Sequence, residues 1–308
     1  MSISTLGEHA LIARIKTRAG DAPPWVQIGI GDDAAVIEPA RGELDIVTTD
    51  CQVEDVHFSR ACMSMREIGA KALAVNISDM AAMAAMPRAA TLSLALPAAL
   101  AIDEFDALID GFLHLARAAK ITLVGGNLSR SPGPLFIDVT LMGSARKRRI
   151  LTRAGGAPGH LLYVTGHLGG AAHRVANALR SDDLAGNWGE RTVALVGCSR
   201  AVSANRLASA CMDLSDGLAD GVRQLAAASG TGAAVFSSKV PVAPGATLEQ
   251  ALTGGEDYEL LFAVPARRRR GFEKIAGRQT AVTCVGELTK APDLSIDGAP
   301  LPAGFSHF

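Results

Sequence analysis

Aromatic residues are scarce in this chain: two Trp, two Tyr and nine Phe stand among 308 residues, 4% in all. With so few rings, a core must close on small aliphatic side chains, and the 32 Gly and abundant Ala predict closely packed helices and sheets. Long apolar runs are also missing. The longest, residues 89–102, contains Pro97, lies between Arg88 and Asp103, and is shorter than the roughly 20 residues a membrane-spanning helix needs, so no membrane contact is expected. The opening "MSISTLGEHA" has neither a basic segment nor an apolar signal core, which predicts a cytoplasmic protein. Five cysteines (Cys51, Cys62, Cys198, Cys211, Cys284) are odd in number and scattered. That excludes a disulfide framework or paired zinc spacing and predicts reduced thiols used for packing. A net charge of −1 excludes general attraction to nucleic acid, and the runs "ARKRR" (145–149) and "ARRRRG" (266–271) read as solvated surface. No "GxxxxGK[ST]" loop, "GxSxG" elbow, "HExxH" helix or catalytic cysteine motif is present.

What is present is a soluble globular composition, 48% hydrophobic and 20% charged, at a length that suggests about two domains. Periodicity predicts a helix over 5–19 and short strands over 34–38 and 45–50. Ser64 and Glu67 have capping-box spacing, so a helix carrying Asp79 is expected to run from there until Pro87 stops it. A strand over 89–96, a helix over 103–119 and strands over 121–125 and 135–142 follow. "RAGGAPGH" (153–160) breaks the periodicity and marks a boundary between domains 1–148 and 149–308. Beyond it come a strand in "LLYVTG", helices near 168–180 and 216–229, and strands near 232–236, 258–264 and 281–287. "NISDMAA" and "DLSDGLA" echo each other, a hint that the halves are related.

Acids in apolar settings are the chemical oddity. "GIGDDAAV" (29–36) has no Lys or Arg from Val26 to Ala40, and "NISDMAAM", "CMDLSDGLADG" and "GGEDYELLF" likewise hold acids without a base. Two carboxylates ~4 Å apart repel by about 4 kcal/mol at an effective dielectric near 20, so a converging set must take up protons or recruit cations. Oxygen ligands without paired His or Cys favour Mg²⁺ or Mn²⁺ over zinc, and Mg²⁺ commonly shares its shell with substrate phosphates. "GIGDDA" has the spacing of a dinucleotide fingerprint, but paired aspartates would repel a pyrophosphate, and that match is set aside. In "VGGNLSRSPGP" (124–134), Gly125 and Gly126 near Arg130 read either as a phosphate-binding loop or as a plain hairpin turn.

Taken in order, "GIGDDAAV", "TTDCQVEDVHF", "KALAVNISDMAAM", "GGNLSRSPGP", "RAGGAPGHLLYVTG", "DLSDGLADG", "GGEDYELLF" and the terminal "GFSHF" resemble the thiamine-monophosphate kinase family of the aminoimidazole-ribonucleotide-synthetase superfamily, nearly end to end. The resemblance implies an α+β fold of two mixed domains, with N-terminal strands forming a barrel across a homodimer. It also implies ATP and several Mg²⁺ ions, and transfer of the γ-phosphoryl group to thiamine monophosphate. By position in the motifs, Asp32, Thr48, Thr49, Asp50 and Asp79 would be metal ligands, and Asp213 and Asp216 would hold further Mg²⁺. Ser215, Gly126 and Arg153 would meet ATP, while His57, Glu256 and Phe305 would line the thiamine pocket. The acceptor is itself a phosphate oxygen, so no protein base or nucleophile is expected.

One departure stands out. The family motif "GGDTTRS" reads "GGNLSRS" here, with Asn127 at a metal-ligating aspartate position and beside the nucleotide, and with Leu128 and Ser129 replacing threonines. An amide oxygen coordinates Mg²⁺ without contributing charge, which implies either a working variant with altered ion binding or an impaired one. Other readings are another ATP-using enzyme of the superfamily, a non-catalytic nucleotide-binding protein, or a structural protein whose acids decorate its surface.

Overall fold

The capping box anticipated at Ser64 opens the helix that organises the first half of the chain. The Ser64 N–H and hydroxyl donate to Glu67 Oε2 at 2.6 and 2.7 Å, and the Glu67 N–H returns a bond to Ser64 Oγ at 3.3 Å. The computed structural model describes residues 2–177 and 185–304, and over 185–190 the backbone alone. Two units emerge, the first holding Met86–Arg146 and the chain up to Met80, the second holding Ala81–Ala85 and nearly all of the chain from Lys147 onward.

Elements of the first unit follow in the order α1 (Glu8–Ala19), β1 (Val26–Ile28), β2 (Val36–Ile37), β3 (Leu44–Val53), α2 (Met65–Ala82), β4 (Met86–Pro97), α3 (Ile102–Ala118), β5 (Thr122–Ser131) and β6 (Phe136–Ala145). β3, β6, β4 and β5 lie side by side in that order, with β6 antiparallel to both neighbours and β5 parallel to β4. The period-2 alternation of the strands sends Ile137, Val139 and Leu141 of β6 and Leu92 and Leu94 of β4 to one buried face. Opposite that face the row Cys51, Asp138, Ser93 and Asn127 crosses the sheet. α2 is buried from Glu67 to Ala82 at every position except Asp79, as a helix apolar nearly all round must be. α1 is fastened to α3 by ions: Arg14 Nε donates to Asp106 Oδ1 at 2.6 Å, and Arg18 reaches Asp106 at 2.7 Å and Asp110 at 3.2 Å. The Arg14 bond, with Arg18 beside it, holds the Asp106 carboxyl below its ordinary range.

In the second unit come β7 (His160–Thr165), α4 (Gly170–Ala176), α5 (Ala185–Ala204, counted in this unit from Ala194), β8 (Ala210–Asp213), α6 (Leu218–Ser229), β9 (Gly232–Val235), α7 (Leu248–Thr253), β10 (Leu260–Pro265), α8 (Arg269–Ala276), β11 (Val282–Thr289), β12 (Leu294–Ile296) and β13 (Ala299–Pro300). Its mixed sheet has the order β13-β12-β9-β11-β7-β10-β8. Leu162, Val164, Met212 and Leu261 pack with Leu218, Val222 and Leu225 of α6 on one side. Residues of opposite parity, Tyr163 and Phe262, meet Phe272 of α8, with ring centroids 4.8 and 5.3 Å from it. Burial and the bond to Glu273 push the Tyr163 phenol up.

Several expectations are corrected. α2 ends at Ala82, not at Pro87: Ala84 turns left-handed (φ 55°), and Pro87 lies within β4 at a register shift, where a missing N–H is tolerated. Gly125 and Gly126 form neither a phosphate loop nor the hairpin turn but belong to edge strand β5. A Cβ on Gly126 would collide with the Leu92 carbonyl of β4, so the close approach of two strands requires glycine there. "ARKRR" is not solvated throughout: Arg149 Nη1 donates to the Ser203 carbonyl at 3.1 Å and to the Ala204 carbonyl, capping the end of α5, while the Ser203 hydroxyl donates back to the Arg149 carbonyl. The two Ser-Asp echoes are not equivalent, since Asp79 lies within a helix and Asp216 in a strand-to-helix turn. All five cysteines are free thiols, and burial raises the buried Cys198 to about 12 and Cys211 well above its usual range.

Candidate functional site

Within the first unit a cavity of about 550 Å³ opens between α1, the loop after β1 and the edge strand β5. One wall is apolar, with Ile12, Ile15, Ile30, Leu92 and Leu123, and the rest carries Asp32, Asp33, Gly126 and Asn127, with Glu8 and His9 from the start of α1. Asp32 and Asp33 are exposed, and Asp32 Oδ1 accepts the Asp33 N–H at 2.9 Å. A basic neighbour absent from the local sequence arrives from α1: the Lys16 ammonium stands 3.1 Å from where a Cβ on Gly31 would be. An apolar slot beside a carboxylate rim suits a ligand with a flat base and a charged tail.

A second cluster lies across the same sheet. Thr48 and Asp50 share the buried face of β3, and the Thr48 hydroxyl donates to Asp79 Oδ2 of α2. Thr49 points to the opposite face, where its hydroxyl donates to the Val139 carbonyl at 3.1 Å and lies 3.3 Å from Thr140 Oγ1. Its side chain therefore does not join Thr48, Asp50 and Asp79. β3 and β5 occupy opposite edges, separated by roughly 14 Å at the usual strand spacing, and Asp50 and Asn127 project to opposite faces. One ion cannot bridge that pair within a chain. His57 follows β3 in a tight turn, and its Nδ1 accepts the Val53 N–H at 3.1 Å, which places the proton of the neutral ring on Nε2.

The second unit builds its acidic turn from backbone. Asp213 ends β8, 6% exposed and paired with Leu260 of β10. The Ser215 hydroxyl donates to Asp216 Oδ2 at 2.8 Å, and the Ser215 carbonyl accepts the Glu256 N–H at 2.6 Å. Gly217 (φ 89°) starts α6 so close to the "GGED" segment that a Cβ on it would stand 2.7 Å from the Leu252 carbonyl and 2.8 Å from that of Gly254. Glu256 and Tyr258 hold left-handed conformations, φ 69° and 49°, uncommon for residues with side chains. Asp257 has a structural use that its sequence setting conceals: its carboxylate accepts the Gly169 and Ala171 N–H groups at 2.6 and 3.3 Å, at the start of α4. Arg153 is exposed and donates to Gln224 of α6, which in turn donates to Asp220. Phe305 lies outside the described residues; before it, Gly304 rests against the turn, where its Cβ would be 3.3 Å from the Asp216 carbonyl.

Among the described residues no three His, Cys, Asp or Glu side chains converge to hold one ion. The anticipated acids are instead spread out: Asp32 lies in the loop after β1, Asp79 accepts from Thr48 with Asp50 on the same face of β3, and Asp213 and Asp216 lie at the end of β8 and in the turn that follows it. Sequence reasoning missed Lys16, Glu8, His9 and the buried Lys71 of α2. For Lys71 the signal was available, as a single cation in the otherwise apolar "KALAVNISDMAAM".

Two domain families match the chain, AIR synthase related protein, N-terminal domain, over residues 31–145, and AIR synthase related protein, C-terminal domain, over 157–298. Thiamine-monophosphate kinase of Escherichia coli (strain K12) is 33% identical over 328 residues, covering 98% of this chain and 98% of that protein. The crystal structure of thiamine-monophosphate kinase from Stenotrophomonas maltophilia K279a superposes with a TM-score of 0.81 at 34% identity, covering 97% and 98% of the two chains. AaThiL complexed with AMPPCP and TMP gives 0.75 at 30% identity, covering 100% and 99%. With the two-unit α+β fold, both matched domains and this end-to-end identity in place, the chain belongs to the thiamine-monophosphate kinase family of AIR-synthase-related proteins and is a kinase.

Proposed function

We propose that the protein transfers the γ-phosphoryl group of ATP directly to the phosphate of thiamine monophosphate, giving thiamine diphosphate. The observation that carries this reading is the first-unit cavity, where an apolar slot meets Asp32, Gly126 and Asn127, in a chain 30% identical to a protein complexed with AMPPCP and TMP. Asp32 and the Asn127 amide present oxygen to the nucleotide phosphates, and Gly126 brings the β5 backbone to the same wall. Arg153 offers its guanidinium to the phosphates, with Ser215 beside them. His57, Glu256 and Phe305 line the thiamine side. The acceptor oxygen is already ionised, so the residues position two polyanions in line and no side chain takes a proton.

The donors suit Mg²⁺ that shares its shell with substrate phosphate, because Asp32 and the Asn127 amide offer oxygen at the wall of the cavity. Asp32, Asn127, Thr48, Asp50 and Asp79 in the first unit, and Asp213 and Asp216 in the second, are the proposed ligands, with Thr49 confined to its backbone carbonyl because its side chain faces away. Bound there, the ion would neutralise the phosphates and favour their approach. A homodimer in the cytoplasm completes the proposal. The open edges β3 and β5 and the exposed Ile28, Val36, Leu44, Val47 and Val56 of the first unit support a self-association surface.

Incubation with ATP, Mg²⁺ and thiamine monophosphate, followed by chromatography of the product, tests the reading. Thiamine diphosphate is expected; ATP binding with no product would overturn it. A second reading, nucleotide binding with impaired transfer, draws on the neutral Asn127 in the cavity wall, and the same assay across a magnesium titration separates the two.

A further inference from the structure

Lys71 is 2% exposed, in a helix whose other residues from Glu67 to Ala82 are nearly all apolar or small. A buried ammonium is costly to desolvate and is kept only where it makes specific charge-assisted bonds. One bond runs from Lys71 Nζ to the backbone carbonyl of His57. That carbonyl closes a turn whose other polar groups are also engaged: the His57 and Val56 N–H groups donate to the Val53 carbonyl at 2.9 and 3.1 Å, and the Asp55 N–H donates to the Phe58 carbonyl at 2.8 Å. Asp55 sits in the left-handed region, φ 64°, so the turn carries strain that its surroundings must offset. The imidazole is tied into the same unit through Nδ1 and the Val53 N–H. A single cation from α2 thus fixes the peptide that carries the ring, and the ring's tautomer follows from the turn.

We propose that Lys71 is a positioning residue for thiamine monophosphate: through the His57 carbonyl it holds the turn 53–58 so that the Nε2 edge of His57 is presented to the substrate. The proposal rests on the reading that His57 lines the thiamine pocket. Lys71 acts through the peptide and does not touch the reacting atoms. The two substrates should therefore respond differently when it is replaced, which a general loss of packing would not produce.

The test combines kinetics with ring nitrogen NMR on the full chain. Lys71→Met is expected to raise KM for thiamine monophosphate about tenfold with KM for ATP unchanged, and to shift the His57 ring signals, as loss of one positioning bond does. Lys71→Gln, a shorter neutral donor, is expected to fall between, and it carries the test if Lys71→Met does not fold. Unmoved ring signals and an unmoved KM for thiamine monophosphate in a folded Lys71 variant would overturn the proposal, even where His57→Ala raises that KM and so upholds the pocket reading. If instead the ring signals move and neither Lys71→Met nor His57→Ala changes that KM, the hold on the turn stands and the pocket reading is what fails.

Discussion

Asp32 and Asp213 carry the same chemical expectation and are held in opposite ways. Asp32 is exposed in a loop beside short strands, with its neighbour's N–H as a hydrogen-bond partner and a cavity wall supplied by α1. Asp213 is buried at the end of β8, and the turn after it is locked against "GGED" by the close approach at Gly217 and by left-handed residues on the other side. In the first unit, geometry near the acid depends on how a helix is tethered, whereas in the second it depends on backbone that admits no added atom. The first arrangement leaves open space beside the acid; the second leaves none beside the turn.

Substitutions can break that contrast. The largest effect is expected from Gly217→Ala, whose methyl group meets two carbonyls at a left-handed position; a loss of about 3 kcal/mol in urea unfolding is expected, with activity falling alongside. Asp32→Ala should do the reverse, leaving unfolding within about 0.5 kcal/mol of the parent while turnover at limiting Mg²⁺ drops about 100-fold. Equal stability losses in the two variants would abolish the distinction. Asn127→Asp restores a charge to the cavity, and a magnesium titration of activity should show half-saturation at about fivefold lower concentration.

Smaller effects sharpen the comparison. Asp106→Asn removes the partner of Arg14 and Arg18 and frees α1; KM for ATP should rise severalfold while the second unit is unaffected. Because Asp106 titrates below its ordinary 3.8, its contribution is complete above that pH and is lost as pH falls through the depressed value; acid unfolding of Asp106→Asn should lack this component. The least effect belongs to His160, held below its ordinary 6.5 by burial first and by Arg267 second, with Nδ1 accepting the Ala157 N–H at 3.2 Å. The folded state favours the neutral ring, so stability is complete above pH 6.5 and declines as pH falls below it. As pH falls below 6.5 the unfolding free energy of His160→Gln should vary less with pH than that of the parent.

Local signals made much of this fold legible. Ser64 and Glu67 announced α2, alternating apolar residues announced β4 and β6, and the order of the acidic motifs announced the family. α5, α7, α8, β1, β8, β12 and β13 escaped, the strands because they are two to four residues long and supported by their neighbours in the sheet rather than by a pattern of their own. At the site, motif position named Asp32, Thr48, Thr49, Asp50, Asp79 and Asn127 as ligands of several ions without saying which could meet, and side-chain alternation and sheet order divide Thr49, Asp50 and Asn127 between faces and edges. The base near "GIGDDAAV" is not in the motif, because Lys16 comes from α1 and its side chain reaches Gly31. Asp257 stood among the acids without a basic neighbour for a related reason: its partners are backbone N–H groups 86 and 88 positions earlier, which no residue letter reveals.

The reciprocal clip between Arg149 and the end of α5 bears on how the molecule would respond to a protease. Arg146, Lys147 and Arg148 are exposed, but Arg149 has its guanidinium on two carbonyls and its own carbonyl under the Ser203 hydroxyl. Trypsin offered the native protein should therefore nick within the first three basic residues and spare the fourth, leaving a downstream fragment whose new amino terminus stays stapled to a helix.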